Sequence, residues 1–143
     1  MSIVPAARRR VVMALFFFPR GGSVYVARHL ARLLPAAGWD VTLVAGSLGT
    51  AGGRSHAPTF FQGAEVYTVD YTAAAAVRDP LDAVVPFQPS YEDRPGAPDR
   101  VFARTGDDAY ERLVAAWEKA LGEAGAAGAD VLHLHHLTPA NEA

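Results

Sequence analysis

Three histidines stand close together in the stretch DVLHLHHLTP (130–139): His133, His135 and His136. Imidazole changes charge near neutral pH, and it can donate or accept a hydrogen bond or bind a metal. In an extended segment His133 and His135 share one face, and His136 lies at the carboxyl end. A zinc site needs further ligands at usable spacing; none is recognisable and the chain has no cysteine, so no metal is assigned. His133 then reads as a core histidine with hydrogen-bonded ring nitrogens. His135 sits where open α/β sheets bind ligands, beyond the carboxyl ends of their strands. The second chemical stretch is Arg20-Gly21-Gly22-Ser23. Free amides at a helix start attract anions, and Arg20 adds a cation suited to an anionic ligand. The same glycines are also what any tight strand-to-helix turn requires.

The surrounding pattern supplies the elements that must hold these groups. Residues 11–18 form an unbroken apolar run, as in a parallel strand covered on both faces. Pro19 stops it, Gly21 and Gly22 permit backbone angles closed to other residues, and Ser23 is a good N-cap. A helix follows with Val26, Ala27, Leu30, Leu33, Leu34 and Ala37 on its apolar face and Arg28 and Arg32 opposite. Gly38 closes it and residues 41–45 return as a second strand, completing a right-handed β-α-β unit. Residues 46–63 read as a glycine-rich loop and 64–70 as a third strand nearer the sheet edge. The proline-rich stretch 72–106 is the least regular, with a short helix placed within 73–85. Val84, Val85, Phe87, Val101 and Phe102 argue that it packs. A long amphipathic helix opens at Asp107 or Asp108, carries Tyr110, Leu113, Val114, Trp117, Ala120, Leu121 and Ala124 inward, and ends at Gly125. Residues 130–135 are a fourth strand, giving the order 3-2-1-4 of a Rossmann-like, mostly parallel open sheet. That apolar fourth strand would be a bare edge, which natural domains avoid. The chain is therefore read as a partial domain, truncated after its fourth core strand and prone to self-association through that edge.

Bulk composition narrows the functional classes. The 143 residues are 50% hydrophobic and carry a formal charge of −2, which fits a single globular domain and gives no electrostatic case for nucleic acid. Without cysteine, disulfide frameworks and thiolate chemistry are excluded. Arg8-Arg9-Arg10 before an apolar run imitates a signal peptide, but Pro19-Arg20-Gly21-Gly22 follows instead of a cleavage site. A membrane span needs roughly 20 apolar residues, and no window supplies them. The reading is a cytoplasmic protein, in which Arg8 to Arg10, Arg28 and Arg32 offer a peripheral contact with an anionic membrane or form a solvated face. There is no G-x-G-x-x-G and no G-x-x-x-x-G-K-[ST], so dinucleotide and P-loop readings fail. Adjacent carboxylates in Tyr91-Glu92-Asp93-Arg94 read as a solvated loop. A receiver-like module would need acidic residues after the first strand, where Phe17, Phe18 and Pro19 are apolar. A non-catalytic α/β binding or interaction module, docking through 72–106, stays open.

Two stretches carry a family resemblance. Residues 16–45, FFFPRGGSVYVARHLARLLPAAGWDVTLVA, and residues 129–136, ADVLHLHH, are similar to the opening strand–Gly-Gly–helix–strand unit and the later D-V-x-H-x-H strand of family 4 GT-B glycosyltransferases, with Trp39 in the position of a family histidine. The resemblance implies the N-terminal, acceptor-side domain of an enzyme moving a sugar from a nucleotide-sugar donor to an acceptor hydroxyl, without metal or cofactor and with retention. It implies that the donor is held mainly by a C-terminal domain absent here, so that this part alone is inactive. It assigns His135 the catalytic contact with the transferred sugar or leaving group. Arg20, Gly21, Gly22, Ser23, His136 and Thr138 become substrate-binding residues.

Overall fold

The computed structural model describes residues 8–16, 18, 22–92, 94–97 and 99–136. Four parallel strands form the main sheet: β1 (Arg9–Leu15), β2 (Trp39–Ser47), β3 (Glu65–Asp70) and β6 (Val131–His135), in the order β3-β2-β1-β6. The architecture is an open, Rossmann-like α/β sheet, and the expected order 3-2-1-4 is the order observed. β1 lies inside the sheet and is buried on both faces, which accounts for its continuous apolar run. Val12, Ala14 and Phe16 face one helical layer; Val11, Met13, Leu15 and Phe18 face the other.

The layer against Val11, Met13 and Leu15 is α1 (Ser23–Leu33), together with Ala57 of the short α2 (Ala57–Phe60) and Phe61. The buried side of α1 is Val24, Ala27 and Ala31, whereas Val26 and Leu33 of the expected apolar face are 53% and 67% exposed. Small side chains let the helix lie close to the sheet, which turns the larger ones outward. Arg28, expected opposite, instead lies over the Phe60 ring at 4.7 Å. Pro35 tightens the last turn into a 3-10 segment, Leu34–Ala37, that ends at Gly38 with φ 87°, the left-handed cap expected there. The basic lead-in is engaged as well: Arg8 pairs with Asp40 at 2.9 Å and donates to the carbonyls of Pro35 and Trp39, and Arg9 lies over the Trp39 ring.

The opposite layer is α4 (Asp107–Glu123), whose Leu113, Trp117, Ala120 and Leu121 are buried as the helical spacing predicts. Gly125 follows it with φ 70°. Trp117 Nε1 donates to Tyr71 Oη at 3.1 Å, and both rings are fully buried. β2 continues two residues beyond the expected strand, through Gly46 and Ser47, because the Tyr71 ring lies directly on Gly46. A Cβ there would meet Tyr71 Cζ at 2.9 Å and Oη at 3.0 Å. Gly46→Ala is therefore expected to destabilise the fold by about 1–3 kcal/mol through overpacking. Gly122→Ala, in an open position on α4, is expected to leave it unchanged or raise it by up to about 1 kcal/mol. Equal urea midpoints for the two variants would refute the Tyr71 contact.

The proline-rich stretch packs, as its apolar residues suggested. It contains α3 (Thr72–Ala75), a 3-10 turn Pro80–Asp82, and a two-stranded parallel pair, β4 (Pro89–Ser90) with β5 (Arg100–Val101). Phe87 is buried against the α4 layer, Phe102 stacks on Phe16 at 5.4 Å, and Gln88 Nε2 reaches Phe18 O at 3.5 Å. These contacts fold the stretch over the carboxyl end of β1. Among the described residues, no helix is long and apolar enough to cross a membrane.

Candidate functional site

Two groups meet at the carboxyl edge of the sheet. β6 pairs with β1 in a register that sets His133 beside Met13 and His135 beside Leu15. Leu134 packs into the α4 layer, so strand alternation puts His133 and His135 on the α1 face. The rings of the two histidines lie 4.2 Å apart, centroid to centroid. α1 begins on that same face, just past the end of β1. His135 and the helix start thus lie on the same face of the sheet, at the carboxyl end of the β1–β6 pair. His133 is half-buried rather than a core residue.

The helix start differs from expectation in two respects. Gly22, not Ser23, is the N-cap, and the carbonyl of Gly22 accepts from the amides of Tyr25 and Val26. Ser23 is the first helical residue; its Oγ is buried and has no hydrogen-bond partner among the described residues. The backbone of Gly22 has φ −70° and ψ −31°, angles any residue adopts, so this position needs no glycine for its conformation. Among the described residues packing does not require one either, since a Cβ at Gly22 would meet none of their atoms within 4 Å. The absent side chain leaves free space at the amino end of a helix. Arg20, Gly21 and Thr138, with Phe17, Pro19 and Asp93, lie outside the described residues.

His135 is half-buried, and its Nε2 is buried without a hydrogen-bond partner among the described residues. Burial first, then the neighbouring His133 and His136, hold its pKa below the ordinary histidine value. The ring is therefore neutral at physiological pH, able to donate from one nitrogen and accept at the other. In the unfolded chain the same ring protonates near pH ~6.5. Its contribution to stability is thus fully present above that pH and is lost as pH falls from there toward the lower folded value. The unfolding midpoint is expected to drop between about pH 7.5 and about pH 5.5, and to drop less in His135→Asn. Identical profiles for the two proteins would refute the shift. His136 closes the strand with φ 74°, a left-handed conformation rare outside glycine, and is exposed. Such backbone costs on the order of 1–3 kcal/mol and recurs at functional sites.

Among the described residues no group of three potential metal ligands gathers. Trp117 was legible only as an inward residue of α4; its hydrogen bond to Tyr71, whose ring lies on the glycine at 46, was not. No protein-family model, curated protein or solved structure matches the chain.

Proposed function

We propose that this chain is the acceptor-side half of a GT-B glycosyltransferase that moves a sugar from a nucleotide-sugar donor to an acceptor hydroxyl. The observation that carries the reading is the glycine at 22. Neither its backbone angles nor packing among the described residues calls for glycine there, yet it leaves the amino end of α1 without a side chain on the face that holds His135. An oxygen-rich substrate approaching that backbone would need the space. In this reading the acceptor hydroxyl oxygen forms a bond to the anomeric carbon as the bond to the nucleotide diphosphate breaks, the diphosphate leaves with the electron pair, and the hydroxyl proton passes to the departing phosphate oxygen. A second domain holds the nucleotide sugar. This chain orients the acceptor, and its helix amides and neutral His135 donate hydrogen bonds to oxygens that gain charge.

The test is a transfer assay on the full gene product with a panel of nucleotide sugars and hydroxyl acceptors, beside saturation-transfer NMR. Gly22→Val is expected to keep the fold, within about 1 kcal/mol, and to lower transfer at least ~10-fold by blocking the approach. Donor-independent binding without any transfer would favour a non-catalytic α/β binding module. A Gly22→Val protein as active as the parent would remove the observation on which the reading rests.

A further inference from the structure

Away from the histidines, the proline-rich stretch builds a second site. Arg78, Arg94, Arg100 and Arg104, far apart in sequence, line one open cleft of about 500 Å³ together with Asp79. Arg100 and Arg94 are held in place from behind. Arg100 Nε lies 3.1 Å from Asp79 Oδ1, and its Nη1 donates to the carbonyls of Ala97 and Asp99 at 3.0 and 2.9 Å. Arg94 Nη2 lies 3.1 Å from Oδ2 of Asp99, whose side chain is only 1% exposed. Arg78 is exposed and makes no ion pair among the described residues. Among the described residues four arginines thus line one cleft beside Asp79, in a chain whose overall charge is negative. A merely solvated surface has no reason to gather like charges and fix their orientation; a pre-organised anion site has both.

We propose that this cleft binds the dianionic phosphate of a small phosphorylated molecule. Clustered guanidinium groups suit the dianion of a phosphate monoester, and the planar forks of Arg78 and Arg94 offer paired donors to its oxygens. A volume of about 500 Å³ exceeds what phosphate alone fills and suits a polar body of sugar size. The stretch lies over the carboxyl end of β1, so the ligand would bind at the same end of the sheet as His135. The assignment stands without the transferase reading.

Amide-resolved NMR titration of the 143-residue chain with inorganic phosphate, glucose 6-phosphate, glucose and phosphatidylglycerol vesicles tests it. Glucose 6-phosphate is expected to bind saturably and more tightly than inorganic phosphate, with shifts centred on Arg78, Arg94, Gly96 and Arg100, and glucose is expected not to bind. Arg78→Gln should weaken glucose 6-phosphate at least ~10-fold, the loss of one charge-assisted pair. Arg54→Gln, outside the cleft, should not, and both variants should keep the parent's spectrum elsewhere. Equal affinity in Arg78→Gln and parent would overturn the proposal, as would no saturation by the phosphate ester. Vesicle binding without binding of the soluble ester would assign the cleft to a lipid headgroup and overturn it equally. Failure of sugar transfer with ester binding intact would leave this site standing and sink only the transferase reading.

Discussion

Trp117→Ala is expected to destabilise the fold by about 3–5 kcal/mol, the range for truncating a large buried aromatic. Trp117 is fully buried, packs on Phe16 with ring centroids 5.3 Å apart, and gives its indole proton to Tyr71. Truncation opens a cavity between α4 and the sheet. It also strips the Tyr71 hydroxyl, whose burial already pushes its pKa far upward, of its described partner. Domains of this size are stable by roughly 5–15 kcal/mol, so such a loss leaves little margin. Urea denaturation followed by near-ultraviolet circular dichroism measures it. Trp117→Phe separates the two contributions: it fills most of the space but loses the donor, and about 1–3 kcal/mol is expected. A cost under about 1 kcal/mol for Trp117→Ala would mean that α4 does not pack as described.

His135→Ala is expected to lower transfer by the full gene product about 10²–10³-fold, the effect of removing one pre-organised donor to developing charge. The ring is well placed for that task on the proposed reading. It is neutral, half-buried, and has a nitrogen with no partner among the described residues, on the face of the sheet where α1 begins. Its loss should fall mainly on kcat with the acceptor KM little changed, since a contact made in the transition state affects both kcat and kcat/KM equally. His133→Ala, one step back along the strand, should cost far less. Activity of His135→Ala within twofold of the parent would dismiss the catalytic role. The urea midpoint distinguishes this from unfolding, because a half-buried ring at the sheet edge contributes little to the core.

The sheet was legible in the sequence wherever burial repeats with a regular period. An apolar run with no alternation could only be a strand covered on both sides, which put β1 inside the sheet. The spacing of Leu113, Trp117 and Leu121 fixed the inner face of α4. Hydropathy misread α1, because Ala27 and Ala31 are buried for being small while Val26 and Leu33 are turned out. Gly46 read as the start of a loop because its reason, the Tyr71 ring, lies 25 positions on. Two-residue strands such as β4 and β5 are too short to show a period, and Pro89 argues against one. The candidate site was half legible. Histidine alternation placed His135 and His133 on one face, but only backbone angles show that Gly22 is not a conformational requirement. The arginines of the cleft are scattered over 78–104, and nothing in their spacing brings them together before the stretch folds.

The bond between Arg10 and Asp130 spans 120 residues, because of the four described strands of the main sheet β1 comes earliest in the chain and its partner β6 latest. On the ribosome, β1 can acquire β2 and α1 early, yet its other edge stays without a ladder until synthesis has passed His135. Long-range parallel pairing of this kind is slow and leaves a nascent chain open to wrong partners. The strand on which the whole architecture rests is thus also the one exposed longest to misassembly.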